Sequence, residues 1–471
     1  MELLLRLTRG GGEPLHTQLE RELRTAIRDG RLLAGTRLPA SRALASELAV
    51  SRGVVVEAYA QLTAEGYLLT RRGAGTVVAD APRRVELVTE PPRPRALPED
   101  FHPGMPDLAS FPRAAWLRSQ RSVMRSAPDL ALGYPEPAGT PELRAALARY
   151  LGRARGVAVS AERTLVTSGL TQGIALACRA LRARGARRLA VEDPGFTVHR
   201  AVAAHCGLEI VPVTVDAHGL RTDALADVEA DALLVTPAHQ SPLGGVLPPA
   251  RRSALLAWAE ARDAIVIEDD YDAEYRYDRE PVGALQGLAP ERVVYAGCAS
   301  KVLAPGLRLG WLVLPEALLA AATVEKAFDD LGTPVLDQLA LADFLERGEL
   351  DRHLRRMRPR YRARRDALAG ALARELPRWR LQGVAAGLHA VALMPDEIDE
   401  AAFLAAAAAD GMRLHGLSWH RVDTTRPAPA GLVLGYGSAS EPAIERAVAR
   451  LARVAATLGS AQSERGAAVA R

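Results

Sequence analysis

Five short apolar runs, each followed by a loop of small or polar residues, constrain this chain more than any other feature. They are Arg163-Thr164-Leu165-Val166-Thr167, Leu189-Ala190-Val191-Glu192, Ala232-Leu233-Leu234-Val235-Thr236, Ala264-Ile265-Val266-Ile267-Glu268 and Arg292-Val293-Val294-Tyr295-Ala296. Helix-length stretches lie between them. Runs this short and this apolar predict strands buried on both faces, in a mainly parallel sheet flanked by helices. In open sheets of that kind a ligand sits beyond the carboxyl ends of the strands, so the residues after each run are those to inspect.

After the first run, Ser168-Gly169-Leu170-Thr171-Gln172-Gly173 opens a helix with small residues, which leaves backbone N–H groups free for an anion. After the second, Asp193-Pro194-Gly195-Phe196 offers an aromatic ring. After the third comes the polar loop Pro237-Ala238-His239-Gln240-Ser241-Pro242. After the fourth, Asp269-Asp270-Tyr271-Asp272 supplies carboxylates, which suit either a protonated ring nitrogen or a hard cation.

After the fifth comes Gly297-Cys298-Ala299-Ser300-Lys301-Val302-Leu303-Ala304-Pro305-Gly306-Leu307-Arg308-Leu309-Gly310. Only Lys301 and Lys326 are lysines among 60 Lys+Arg. A lysine kept against that background points to work that arginine cannot do. An amine that loses its proton can attack an aldehyde, whereas a guanidinium stays charged. Seven residues on, Arg308 provides a fork suited to phosphate. An aldehyde that carries a phosphate is what such a pair would hold.

The first 80 residues have a different rhythm. Leu15, Leu19, Leu23 and Ile27 predict an amphipathic helix ending near Gly30. A turn at Gly35-Thr36-Arg37-Leu38-Pro39 precedes a short helix from Ser41 to Leu48. Ser51 is placed to cap a third helix from Arg52 to Leu62 or beyond. Gly66-Tyr67-Leu68-Leu69-Thr70 and Gly75-Thr76-Val77-Val78 then read as a hairpin joined by Arg71-Arg72-Gly73-Ala74. This order is that of a winged helix-turn-helix, whose third helix enters the major groove of DNA by its N-terminal end. Ser51 and Arg52 would then meet phosphates and base edges, Arg42 the backbone, and Arg72 and Gly73 would sit on the wing. Residues 1–80 carry 11 Arg against 9 Asp+Glu, so the pattern rather than the charge carries this reading.

Residues 81–99 are rich in proline and charge and read as an extended linker. A long region of alternating strand- and helix-length runs, 100–458, follows, and 459–471 reads as a disordered tail. No run approaches the roughly 20 apolar residues that cross a bilayer, and the alanine-rich piece from Ala401 to Ala409 is half that length. The N-terminus shows no secretion signal. Three cysteines without metal spacing (Cys178, Cys206 and Cys298) suggest reduced thiols and a cytoplasmic setting. A net charge of +4 permits nucleic-acid binding without demanding it.

The segments Gly30-Arg31-Leu32, Gly35-Thr36-Arg37-Leu38-Pro39, Ser51-Arg52, Glu57-Ala58-Tyr59 and Glu65-Gly66-Tyr67-Leu68 resemble the GntR-type winged helix. The later order of loops resembles the fold-type-I aminotransferases. Fused together, the two are similar to the MocR-type transcriptional regulators over residues 13–455. The resemblance implies that Lys301 binds pyridoxal 5′-phosphate (PLP) covalently, with Asp269 on the pyridine nitrogen, Tyr271 on the phenolic oxygen and Phe196 against the ring. Gly169, Leu170, Thr171, Ser300 and Arg308 would hold the phosphate. Tyr134, in Gly133-Tyr134-Pro135-Glu136-Pro137, would reach the phosphate of a second subunit in a head-to-tail homodimer.

This chain departs from the pattern in places. Gly53, Val54 and Val55 follow Ser51-Arg52 where relatives carry polar residues. Ser241 stands where aminotransferases usually place an asparagine, and Cys298 replaces a hydroxyl residue. Gly431-Leu432-Val433-Leu434-Gly435-Tyr436-Gly437 contains no arginine to clamp a substrate carboxylate, leaving Arg200 and Arg421 as stand-ins. The expectation is a cytoplasmic, PLP-dependent, DNA-binding regulator that senses PLP or an amino compound, with little or no turnover. An active aminotransferase carrying a DNA-binding appendage, and a scaffold whose large domain only dimerises, are the alternatives. No metal is expected.

Overall fold

Leu19, Leu23 and Ile27 return every fourth residue and are buried, and around them helix α1 (Leu15–Arg28) forms. In the computed structural model, which describes residues 7–10, 12–71, 75–80, 101–277, 282–425 and 428–469, the chain divides into two compact units, Met1–Arg95 and Ala96–Arg471. The first unit continues with α2 (Ser41–Glu47) and α3 (Arg52–Ala64). Its antiparallel hairpin is β1 (Leu68–Arg71) and β2 (Gly75–Val78). Leu19, Leu23, Leu44, Val55, Leu62 and Leu68 close one core. Of the three residues that follow Ser51-Arg52, Val55 lies in that core, fully buried. The helical period turns Val56 outward, 46% exposed. Arg72, Gly73 and the linker 81–99 lie outside the described residues.

The second unit opens with α4 (Arg113–Ser126) and α5 (Pro141–Arg155). Its large sheet contains β3 (Thr164–Thr167), β4 (Arg188–Asp193), β5 (Glu209–Asp216), β6 (Gly219–Leu220), β7 (Ala232–Val235), β8 (Ile265–Asp270), β9 (Val293–Cys298) and β10 (Gly310–Val313). The strand order is β3-β10-β9-β8-β7-β4-β5-β6. The neighbours from β9 through β5 are parallel, whereas β10 is antiparallel to both β9 and β3. The five runs all form strands. The antiparallel β10 was missed because its short apolar run follows the Lys301 loop without a helix-length spacer.

Both faces of the sheet are covered, which is why its strands read as unbroken apolar runs. Leu189, Val191, Ile265 and Ile267 pack on one side with Leu170 and Ile174 of α6 (Leu170–Ala183). Ala190, Leu233 and Val266 pack on the other with Leu255 and Trp258. The intervening helices are α7 (Thr197–His205), α8 (Pro249–Ala261) and α9 (Ala299–Val302). Beyond the sheet come α10 (Glu316–Asp330), α11 (Val335–Glu346) and the long α12 (Glu349–Glu375). A three-stranded antiparallel sheet of β11 (Arg380–Gln382), β12 (His389–Leu393) and β13 (Gly431–Gly435) packs with α13 (Glu400–Ala409) and α14 (Glu441–Val469). The stretch read as a disordered tail, 459–471, instead continues α14 as far as Val469. No helix among the described residues is long and apolar enough to cross a membrane.

Candidate functional site

The strand β8 runs one residue pair further than its apolar run, because Asp269 and Asp270 pair with Ala296 and Gly297 of β9. Strand alternation then sends the two carboxylates to opposite faces. Asp270 turns away and meets Arg155 Nε at 2.8 Å, both side chains about 1% exposed, and accepts from the Tyr295 hydroxyl at 2.8 Å. Asp269 turns the other way, into a cavity of about 220 Å³ at the carboxyl ends of the strands. Its Oδ2 lies 3.0 Å from Nδ1 of His199. Its Oδ1 is buried with no hydrogen-bond partner among the described residues. Asp272 pairs with His239 at 3.0 Å. Each of the three carboxylates therefore has its own nitrogen partner, an arrangement unlike a shared cation site.

The same cavity is lined by Lys301, Tyr271, Phe196, Leu170, Thr171, Ser241, Ser300 and Arg308. Lys301 stands on the short α9, directly after β9. Gly104, at φ +69°, brings its backbone so close that a Cβ there would lie 3.0 Å from Lys301 Nζ. Arg308 adopts a left-handed backbone at φ 52°, and its Nη2 donates to the Ser168 carbonyl at 2.9 Å. That places the guanidinium against the N-terminus of α6. A Cβ on Gly169, itself at φ +92°, would lie 2.4 Å from Arg308 Nη2, so glycine is what lets the fork sit there. Gly169 backs the cavity without lining it. Tyr134 is 92% exposed and apart from the cavity.

Tyr271 has its hydroxyl 3.0 Å from His239 Nδ1. That nitrogen also faces Asp272, and a carboxylate requires a donor, so the imidazole proton goes to Asp272. The hydroxyl proton of Tyr271 remains for another acceptor. Burial, reinforced by Asp272 and Asp269, raises the phenol well above its ordinary value, so it stays protonated. Phe196 precedes α7 and meets the His199 ring edge-on, centroids 4.7 Å apart. Burial pushes the Cys298 thiol up, and it also lines the cavity.

Sequence reasoning missed the histidines. His199 sits three residues after Phe196 on α7, a helical spacing that would have found it. His239 lay inside a loop noted only as polar. His389 and His420 line the cavity from the C-terminal part of the chain, and no local motif announces them. Of the proposed carboxylate clamps, Arg200 spends its guanidinium on the carbonyls of His420 and Arg421, both at 3.1 Å. Neither Arg200 nor Arg421 lines this cavity.

In the first unit Arg42, Ser51 and Arg52 are all exposed, around the start of α3. Ser51 occupies the N-cap position, with φ −66° and ψ 148°, but the expected cap bond from its side chain is not made. Its hydroxyl is thus open toward the N-terminal end of the helix. Arg52 Nε reaches Ser41 Oγ at 3.4 Å, joining α2 to α3.

The arrangement in the large unit complements an aldehyde, a ring nitrogen, a phenolic oxygen and a phosphate. Comparison with known proteins places each unit in a family. Residues 105–414 match the family of class I and II aminotransferases, and residues 15–78 match the gntR family of bacterial regulatory proteins. The chain is 37% identical over 442 residues to the HTH-type pyridoxine biosynthesis transcriptional regulator PdxR of Corynebacterium glutamicum, covering 92% of this chain and 94% of that one. It is 34% identical to the probable rhizopine catabolism regulatory protein MocR of Rhizobium meliloti, covering 92% of each. Among solved structures, a kynurenine aminotransferase of Pyrococcus horikoshii superposes with a TM-score of 0.70 at 25% identity, covering 76% of this chain and 91% of that one. With a winged helix in front and an aminotransferase-like unit behind, matched over nearly its whole length, the chain belongs to the MocR-type transcriptional regulators.

Proposed function

We propose that this regulator binds PLP in the cavity of its large unit and operator DNA through its winged helix, and that the first event alters the second. The observation that carries the reading is Asp269, a buried carboxylate held on one oxygen by His199 and unpartnered on the other, in one cavity with Lys301. A buried acceptor left open is costly unless something fills it. When bound, PLP supplies an aldehyde that couples to amines and a cationic ring that draws electrons. Lys301 provides the amine for the aldehyde, and Asp269 Oδ1 the acceptor for the ring N–H. Tyr271 donates to the phenolic oxygen, with Ser241 beside it, and Phe196 covers the ring. Arg308, Ser300, Gly169, Leu170 and Thr171 take the phosphate, joining a guanidinium to the backbone donors of a helix start.

On the DNA side, Ser51 and Arg52 enter the major groove with the start of α3 while Arg42 holds the backbone; Arg72 and Gly73 are assigned to the wing from sequence alone. Val56, exposed one turn on, offers an apolar contact to a thymine methyl. Tyr134 is assigned to a second copy of the chain. Its 92% exposure, with Leu130 at 88% and Phe328 at 84%, suits a surface covered by a homodimer in the cytoplasm.

For PLP to act as a signal it must bind the DNA-competent and DNA-incompetent states unequally. The test is operator affinity, by fluorescence anisotropy, with and without PLP, for the wild type and Lys301→Ala. Affinity should change with PLP in the wild type alone, and equal affinities throughout would remove the cofactor from the switch.

A second reading, a working aminotransferase, is favoured by the retention of Lys301, Asp269 and Tyr271 in one cavity. Against it, Arg200 is committed to backbone carbonyls, and Val433 presents no charge where β13 meets the cavity. Without a carboxylate clamp, an amino acid is poorly oriented for proton abstraction. Sustained turnover of an amino acid with a keto acid would favour the enzyme.

A further inference from the structure

His420 forms part of the wall of the cavity that holds Lys301. Its side chain is 4% exposed, and neither ring nitrogen has a hydrogen-bond partner among the described residues. Buried polar groups are rarely left unmatched, and here the backbone that carries the ring is pinned on both sides. The His420 carbonyl accepts from Gly195 N at 2.9 Å and Arg200 Nη1 at 3.1 Å. On either side, the Trp419 carbonyl accepts from Thr197 Oγ1 at 2.9 Å and Val422 N donates to Asp193 Oδ1 at 2.8 Å. The turn is thus tied at consecutive residues to the loop after β4 and the start of α7. That is the construction of a preorganised contact.

The charge of this wall follows from its surroundings. Burial is the largest effect on the His420 ring and lowers it to about 4. At neutral pH the ring is therefore uncharged and presents one donor and one acceptor. His389, the neighbouring imidazole, has Nε2 3.2 Å from the Pro242 carbonyl, and burial lowers it to about 3. Among the lining residues Arg308 is the one guanidinium, and it sits at the phosphate end. The part of the cavity that PLP would leave open thus offers neutral hydrogen-bonding groups and no fixed cation for a carboxylate.

Resting on the PLP reading above, we propose that the effector meeting this site is a primary amine bearing an uncharged hydrogen-bonding group, a hydroxyl or carboxamide, in place of a carboxylate, and that His420 is the residue that reads that group. A hydroxyl can satisfy the imidazole as acceptor or donor. A carboxylate would face a ring that must first take up a proton.

The PLP-loaded full-length protein would be titrated with 2-aminoethanol, propylamine and glycine, following the change in cofactor absorbance. The wild type should bind 2-aminoethanol about tenfold more tightly than propylamine, the worth of one added hydrogen bond, and more tightly than glycine. His420→Phe should abolish the preference over propylamine, and His420→Gln, which keeps a donor and an acceptor, should retain it. Glycine binding as tightly as 2-aminoethanol, or an unaltered preference in His420→Phe, would overturn the assignment. Failure of the wild type to take up PLP at all would overturn the reading beneath it and the assignment together.

Discussion

His199 Nδ1 lies 3.0 Å from one oxygen of Asp269, and the other oxygen is buried without a partner among the described residues. The imidazole holds the carboxylate in one orientation, and the other oxygen is left open to a donor.

If that oxygen receives a charged N–H, Asp269→Asn should weaken PLP binding by about 10- to 150-fold, the range for a hydrogen bond to a charged group. His199→Phe should act in the same direction but less, because it frees the carboxylate to rotate without removing it. Equilibrium titration followed by cofactor absorbance measures both. Equal affinities for wild type and Asp269→Asn would exclude a role for the carboxylate.

Gly169→Ala puts a methyl group 2.4 Å from the Arg308 guanidinium at a backbone angle of φ +92°. The expected cost to stability is about 1 kcal/mol or more from the backbone alone. The displaced fork should also lower affinity for inorganic phosphate and PLP together. Thermal melting and phosphate competition read the two effects separately.

Two buried groups should show opposite pH dependence. Burial raises Glu192 from 4.5 to about 7, so the stability of its neutral form, present below pH 4.5, is lost as pH rises toward 7. Burial lowers His420 from 6.5 to about 4, so stability present above pH 6.5 is lost as pH falls toward 4. Relative to wild type, Glu192→Gln should gain roughly 3 kcal/mol as pH rises from 4.5 to 7. His420→Phe should gain a similar amount as pH falls from 6.5 to 4. Denaturant unfolding across pH 4 to 8 gives both slopes.

Ser51 makes no capping bond, so Ser51→Ala should change stability by less than about 0.5 kcal/mol, below the ~1 kcal/mol typical of a lost cap. Operator affinity should still fall. Arg52→Ala should reduce the salt dependence of binding by about one phosphate contact. A salt series in fluorescence anisotropy separates the two residues.

Much of the architecture was written in local sequence. Short apolar runs declared strands because both faces of the sheet are buried, and the spacing of Leu19, Leu23 and Ile27 declared a helix because one stripe of it is. Lys301 and Arg308 stood out because they share one short loop. What only the tertiary structure decided involves partners far apart in the chain. Asp269 was separated from Asp270 by the parity of β8, and Val55 from Val56 by the turn of α3. His199 was brought to Asp269 across 70 positions, and His389 and His420 were delivered to the cavity from the C-terminal region. Periodicity is a property of neighbours and can be read along the chain. A binding wall is a property of close approach, set by how the elements pack together, and the linear order carries no mark of it.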